Sequence, residues 1–84
     1  MSRPKAPDTK HLKYYKVLSA NLKHYRSTLK ETQEQISEKA NISSKYLSLL
    51  ESSAFKNVPY LETLFCIADA LKVEPYQLFE LRIK

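Results

Sequence analysis

Eighty-four residues fill one domain with one modest core, which leaves no room for a second catalytic lobe or a separate effector pocket. Hydrophobic residues at 43% and charged residues at 27% describe a globular chain, and no apolar run approaches the roughly 18 residues of a membrane span. The net charge of +5 is unevenly placed: residues 1–30 hold eight Lys/Arg against one acid, net +7, while residues 31–84 hold six against eight, net −2. A basic first third points to a polyanion partner, set against the plainer reading of a solubilising surface. The chain starts Met-Ser-Arg-Pro-Lys with no apolar segment behind it, so no secretory signal is expected. Its single cysteine, Cys66, can neither staple a fold nor build a thiolate metal site, and a cytoplasmic location follows as the expectation.

Residues 1–10 hold Pro4, Pro7 and four charges, and read as a flexible basic arm; residues 11–84 read as the folded domain. From Leu12 the pattern turns helical. Leu12, Tyr15, Leu18 (or Ser19), Leu22 and Tyr25 recur at three- and four-residue steps, with Lys13, Lys16, Lys23 and Arg26 off that stripe as a general positive field. This first helix is expected to end near Ser27-Thr28. Thr32 opens a second helix as the cap of a capping box with Gln35, and Ile36 and Ala40 form its buried stripe. Asn41, which tolerates left-handed backbone, ends it. Ser43 caps a third helix with Leu47 and Leu50 inward and Tyr46 at the margin, ending near Glu51-Ser52.

Residues 53–59 read as a loop closed by Pro59. Leu61, Leu64, Phe65, Ala68 and Leu71, widened by Ile67, make a fourth amphipathic helix. Pro75 starts a short fifth helix holding Leu78 and Phe79. No segment alternates with period two, so the expected class is all-α.

Thr32–Ala40 and Ser43–Glu51, joined by a tight turn, form a helix-turn-helix candidate. Ile36, Ala40, Ile42, Leu47 and Leu50 can knit the pair together. Ser43, Ser44, Lys45, Ser48 and Ser52 then project from the other face of the third helix. That helix fits the DNA major groove, where base edges carry a readable donor and acceptor pattern.

Residues 29–79 resemble the phage-repressor/Cro-type (XRE-like) helix-turn-helix family. The resemblance is carried by Thr32-Gln33-Glu34-Gln35-Ile36-Ser37-Glu38-Lys39-Ala40, the turn Asn41-Ile42-Ser43, and Tyr46-Leu47-Ser48-Leu49-Leu50-Glu51. Leu61-Glu62-Thr63-Leu64 and Ile67-Ala68-Asp69-Ala70-Leu71 extend it. It implies a five-helix, lambda-repressor-like domain with helices 2 and 3 as the helix-turn-helix. Such a domain is a transcriptional regulator that binds double-stranded DNA as a homodimer. The family has Gly where this chain has Asn41, Ser53 and Lys72, and the chain has no glycine. Asn41 suits the required backbone better than Ser53 or Lys72.

Family position puts Gln33 where its amide can bond a phosphate and brace a recognition-helix side chain; the plainer reading is a first-turn polar residue. Ser44 and Lys45 stand at the exposed helix start that reaches base edges, Lys45 toward guanine or only toward phosphate. Ser48 lies one turn on. Leu49 either packs on a thymine methyl or closes the core edge. Ser43 is a cap that can also touch phosphate. Ser52, Lys56 and Asn57 read as phosphate clamps that would set register without reading sequence, with Lys56 otherwise a solvated loop charge. The arm's Arg3, Lys5 and Lys10 either track the backbone or enter a minor groove, against the plainer reading of disorder without function.

Tyr14, Tyr15 and Tyr25 read as core or core-margin residues rather than a single-strand stacking platform. Cys66 reads as a small buried hydrophobe. His11 and His24 lack ligand-spaced companions, so no metal and no cofactor is expected. No nucleophile–base pair, glycine-rich phosphate loop or paired carboxylates stand out, so no enzyme is expected. The sequon at Asn41-Ile42-Ser43 has no meaning in a cytoplasmic chain.

Tyr60, Phe65, Tyr76, Leu81 and Ile83 exceed what a small core needs, and point to a dimer built on the fourth helix and C-terminal surface. Two recognition helices would then lie about 34 Å apart on a near-palindromic operator. Two function classes remain. One is a stand-alone regulator, with a restriction–modification controller as a subtype. The other is a protein-interaction module, such as an antitoxin, using the apolar C-terminal surface. A non-specific nucleic-acid binder is a weaker third reading.

Overall fold

The structure, a computed structural model, describes residues 9–52 and 58–81. Among these residues it is all-helical. A 3-10 turn at Thr9–His11 leads into α1 (Leu12–Leu29), followed by α2 (Gln33–Ala40), α3 (Ser44–Glu51) and α4 (Leu61–Leu71), and a second 3-10 segment spans Pro75–Phe79. No described helix is long and apolar enough to cross a membrane.

The local chemistry of the caps sets the boundaries. The Thr32 hydroxyl accepts from the Gln35 backbone N–H at 3.0 Å, and Gln35 Oε1 accepts from the Thr32 N–H at 2.8 Å, closing the expected capping box. Ser43 accepts from the Tyr46 N–H at 3.0 Å and starts α3. Three helices stop in the same way without glycine. Lys30, Asn41 and Lys72 take φ of 58°, 60° and 61°, and in each case the next residue's N–H reaches five residues back. Asn41 and Lys72 are the positions where the resemblance has Gly. Lys30 is a third such turn that sequence reading passes over, and it explains why α1 runs past Ser27-Thr28. Ser53 lies outside the described residues.

The core is one cluster. Leu18 and Leu22 from α1 meet Ile36 and Ala40 from α2, Leu47 and Leu50 from α3, and Leu64, Ile67, Ala68, Ala70 and Leu71 from α4, with Leu78 closing the base. Each buried leucine contributes about 1.5–3 kcal/mol relative to exposure. Three polar side chains share this interior. The Ser19 hydroxyl donates to the Leu50 carbonyl, and the Ser37 hydroxyl to the Glu34 carbonyl at 2.9 Å. The Asn21 amide donates to the carbonyls of Leu78 and Glu80, both at 2.9 Å.

The expected fifth helix is corrected to 3-10. Pro75 supplies no N–H, Glu74 and Gln77 form a capping box around only five residues, and Gln77 and Glu80 N–H groups bond three residues back. The Asn21 amide takes the last carbonyls, so the segment is anchored by a side chain and has no further turn to propagate. Four α-helices are therefore present among the described residues, not five.

Several stripe assignments also shift. On α4 the buried side is Leu64, Ile67, Ala68, Ala70 and Leu71; Leu61 and Phe65 face outward. Leu12 and Tyr14 are exposed, whereas Tyr15 and Tyr25 are half-buried. Cys66 is half-buried rather than buried, with its thiol 3.9 Å from the Glu62 carboxylate.

Candidate nucleic-acid interface

The outer face of α3 is where the polar residues of the motif converge. At 100° per residue, Ser44, Ser48, Ser52, Lys45 and Leu49 fall within an arc of about 140°. Leu47 and Leu50 sit on the opposite side, fully buried. Ser44, Lys45 and Ser48 are exposed and Leu49 is half-buried at the edge of the arc. Ser43 is exposed and committed as the N-cap, and Ser52 donates its hydroxyl to the Leu49 carbonyl at 2.9 Å. Lys56 and Asn57 lie outside the described residues, as do Arg3 and Lys5 of the arm and Ile83 at the C-terminus.

What holds this helix in place is a polar clasp that sequence reading misses. Glu51, the last residue of α3, accepts from Arg26 on α1 through Nε to Oε2 at 2.7 Å and Nη2 to Oε1 at 2.9 Å. Gln33, the first residue of α2, donates its amide to the same Oε1 at 3.0 Å. Arg26 Nη1 also donates to the Glu31 carbonyl at 2.9 Å, in the turn between α1 and α2. The hydrogen bond to Glu51 raises the Arg26 pKa further above its ordinary value, and partial burial only partly opposes this. Arg26 is thus not part of a general positive field; its charge is spent on Glu51. The Gln33 amide is thus engaged with Glu51, at the end of α3. The available signal was the placement of Glu51 four residues after Leu47, on the inward side of α3, where a carboxylate needs a cation.

The electrostatics of the two flanks differ. On the α1 side a shallow groove is lined by Lys23, Arg26, Gln33, Ser48, Glu51 and Ser52, so a lysine stands beside α3. On the α2 side the groove is lined by Glu34, Gln35, Ser37, Glu38, Ile42 and Ser44, so two carboxylates flank the start of α3. A phosphate is favoured on the first flank and disfavoured on the second. Tyr46, half-buried against the core, has its phenol pKa raised by desolvation. Among the described residues no group of three His, Cys, Asp or Glu is placed to hold a metal ion.

No protein-family model matches the chain, and no curated protein sequence matches it. Solved structures do match. The hypothetical transcription factor NHTF from Neisseria superposes with a TM-score of 0.74 at 25% identity, covering 94% of this chain and 87% of that one. The restriction-modification controller protein C.AhdI from Aeromonas hydrophila gives 0.71 at 22% identity, covering 77% of this chain and 96% of that one. SinR, a master regulator for biofilm formation solved in complex with DNA, gives 0.69 at 25% identity over 75% of this chain and 98% of its own. The fold shared with these regulators is the phage-repressor, XRE-like type of helix-turn-helix.

Proposed function

We propose that the chain is a sequence-specific, double-stranded-DNA-binding transcriptional regulator, working in the cytoplasm, that places α3 in the major groove. The observation that carries this reading is the outer face of α3. Three exposed polar side chains, Ser44, Lys45 and Ser48, project from a helix whose other side is locked into the core. Lys45 reads guanine and Ser44 a neighbouring base edge. Leu49, at the margin of the face, meets a thymine methyl. Gln33, Ser43 and Ser52 set the register through phosphate, with Lys56 and Asn57 beyond them, and Lys23 adds a cation on the same flank. The likeness of the fold to SinR, solved in complex with DNA, supports the DNA-binding reading.

The operator is a near-palindrome bound by a homodimer. Leu61 and Phe65, four residues apart on α4 and both outward, with Tyr60 before them, supply an apolar face for a two-fold contact. A restriction–modification controller would be a subtype of this function and would behave identically in the test.

Selection from a random duplex library at two salt concentrations tests the proposal. Enrichment of an inverted repeat with half-site centres about 10 base pairs apart is expected. Binding without enrichment, lost steeply with salt, would replace it with a backbone-only binder.

A further inference from the structure

Helix α1 carries its charge against its own local stability. Over Leu12–Leu29 it has Lys13, Lys16, Lys23 and Arg26 and no acidic residue, with Lys30 following as the C-cap. A solvated helix face is ordinarily relieved by Glu or Asp three or four residues from each lysine, and the first turn favours anions over cations. Lys13 stands in that first turn, and His11 ahead of it gives no side-chain cap. Of the four lysines, all exposed, only Lys30 lies where the macrodipole favours a cation. Lys16, Lys23 and Lys30 form no ion pair with the described residues. Glu51, which shares the Lys23 groove, is held by Arg26 and Gln33, and Glu31, which follows Lys30, is held by Lys39. Charges set against local stability and left without partners are expected where a ligand supplies the opposite charge.

The lysines are regularly placed. Lys16, Lys23 and Lys30 recur at seven-residue intervals, so at 100° per residue they fall within an arc of about 40° over a length of about 21 Å. Between them on that face lie Ala20 and Ser27, both exposed and small, which leaves an extended polyanion free to approach the helix closely. The stripe borders α3. Ser19 and Arg26, next to it around the helix, bond the Leu50 carbonyl and the Glu51 carboxylate, and Lys23 lines a groove with Ser48 and Ser52. A DNA strand carries one phosphate per about 3.4 Å of duplex axis, so about six phosphates match the length of the stripe.

We infer that α1 is a second DNA-contacting element, in which Lys16, Lys23 and Lys30 follow the phosphate backbone of the duplex that α3 enters. The inference rests on the DNA reading of α3 and deepens it, by assigning a whole helix to backbone contact that carries affinity and register but reads no base. The α2 flank, with Glu34 and Glu38, repels phosphate, so the backbone is gripped from the α1 side.

Lys16→Gln and Lys30→Gln are compared with Lys72→Gln, which removes the same exposed charge at the left-handed end of α4. The full chain is titrated, at several salt concentrations, onto the duplex enriched by selection and onto an unrelated duplex of equal length. Each stripe variant should reduce the dependence of log affinity on log salt by about one unit per half-site on both duplexes and leave base preference unchanged, whereas Lys72→Gln should keep the wild-type slope. Ethylation of single phosphates locates the contacts. The phosphates whose ethylation weakens binding of the wild-type chain should lose that effect in Lys16→Gln at one position and in Lys30→Gln at another. Wild-type slopes and ethylation patterns in the stripe variants, on a duplex the protein still selects, would overturn the inference and leave the α3 reading intact. Equal losses in Lys72→Gln would also overturn it, by assigning the effect to net charge. Stripe-dependent binding with no preference between the duplexes would keep the α1 contact and overturn sequence reading, and no binding to either duplex would remove both.

Discussion

Arg26 and Glu51 are joined side-on by two parallel hydrogen bonds, although 25 residues separate them in sequence and they belong to different helices. The fork geometry suits a guanidinium and a carboxylate, and would not be reproduced by lysine. Because Gln33 donates to the same carboxylate, one acidic group fixes the end of α3 against both α1 and α2. The orientation of the outer face of α3 thus depends on a side chain that does not belong to that face.

Removing the cation should therefore cost more than removing the pair. The Glu51 side chain is only 4% exposed, so Arg26→Leu strands a buried carboxylate and should lower folding stability by roughly 3 kcal/mol. The double variant Arg26→Leu with Glu51→Leu should recover most of that loss, as read by denaturant titration of all three proteins. An additive double variant would show that the pair is not coupled. Arg26 has a raised pKa, so its contribution is complete below the ordinary guanidinium value and is lost only as pH climbs through a still higher folded value. The Arg26 charge should leave stability flat across the neutral range.

Tyr46 gives the alkaline limb a specific origin. Burial favours its neutral phenol, so the folded pKa lies above the ordinary value of 10.0. A raised pKa means that this contribution is full below about pH 10 and is lost as pH rises through the folded value. Tyr46→Phe should change stability little at neutral pH and flatten the decline above about pH 10. Parallel declines in the two proteins, measured by urea titration from pH 8 to 11, would assign alkaline loss to other groups.

Most of this fold is written in local patterns. Thr32 with Gln35, Ser43, Asn41 and the Leu47/Leu50 spacing each carry a physical instruction that acts within four residues, and the structure follows them. What was not legible depends on pairing across helices. Nothing local says that Arg26 rather than Lys23 meets Glu51, or that Asn21 on α1 will cap carbonyls near residue 80. The rotation of α4 is a third case. Leu61, Leu64, Phe65 and Ile67 are all apolar, so periodicity alone leaves two adjacent faces, and only packing against α2 decides that Leu61 and Phe65 turn outward.

The left-handed helix endings offer a gain in stability. Lys30 and Lys72 hold positive φ with a Cβ present, a conformation that costs about 1–2 kcal/mol and that glycine adopts freely. Lys72→Gly should stabilise the fold by about 0.5–1 kcal/mol, after the added unfolded-state entropy, and raise Tm by several degrees. Lys72→Ala, which removes the charge but keeps the Cβ, should not. If alanine stabilised equally, charge rather than backbone would be the cause.

The C-terminal segment should detach through one side chain. Asn21 bonds the Leu78 and Glu80 carbonyls from within α1, so Asn21→Ala leaves two acceptors without that donor and should cost about 1–3 kcal/mol. Hydrogen exchange should quicken at residues 77–81 well before the amides of α2 and α4. Uniform quickening would mean that the segment unfolds only with the whole domain.

Lys45 and Lys23 provide the sharpest separation of reading from holding. Lys45 is exposed on the α3 face, whereas Lys23 lies in the groove beside Ser48 and Ser52, on the flank that favours phosphate. Lys45→Ala should cost about 1–3 kcal/mol on the selected operator and lose preference at one base position per half-site. Lys23→Gln should weaken binding nearly equally on every duplex and reduce the dependence of log affinity on log salt by about one unit per half-site. Binding isotherms on the operator and on single-base variants, each at several salt concentrations, separate the two. If Lys45→Ala instead weakened all duplexes alike, Lys45 would be a phosphate contact. Base reading would then fall to Ser44, Ser48 and Leu49.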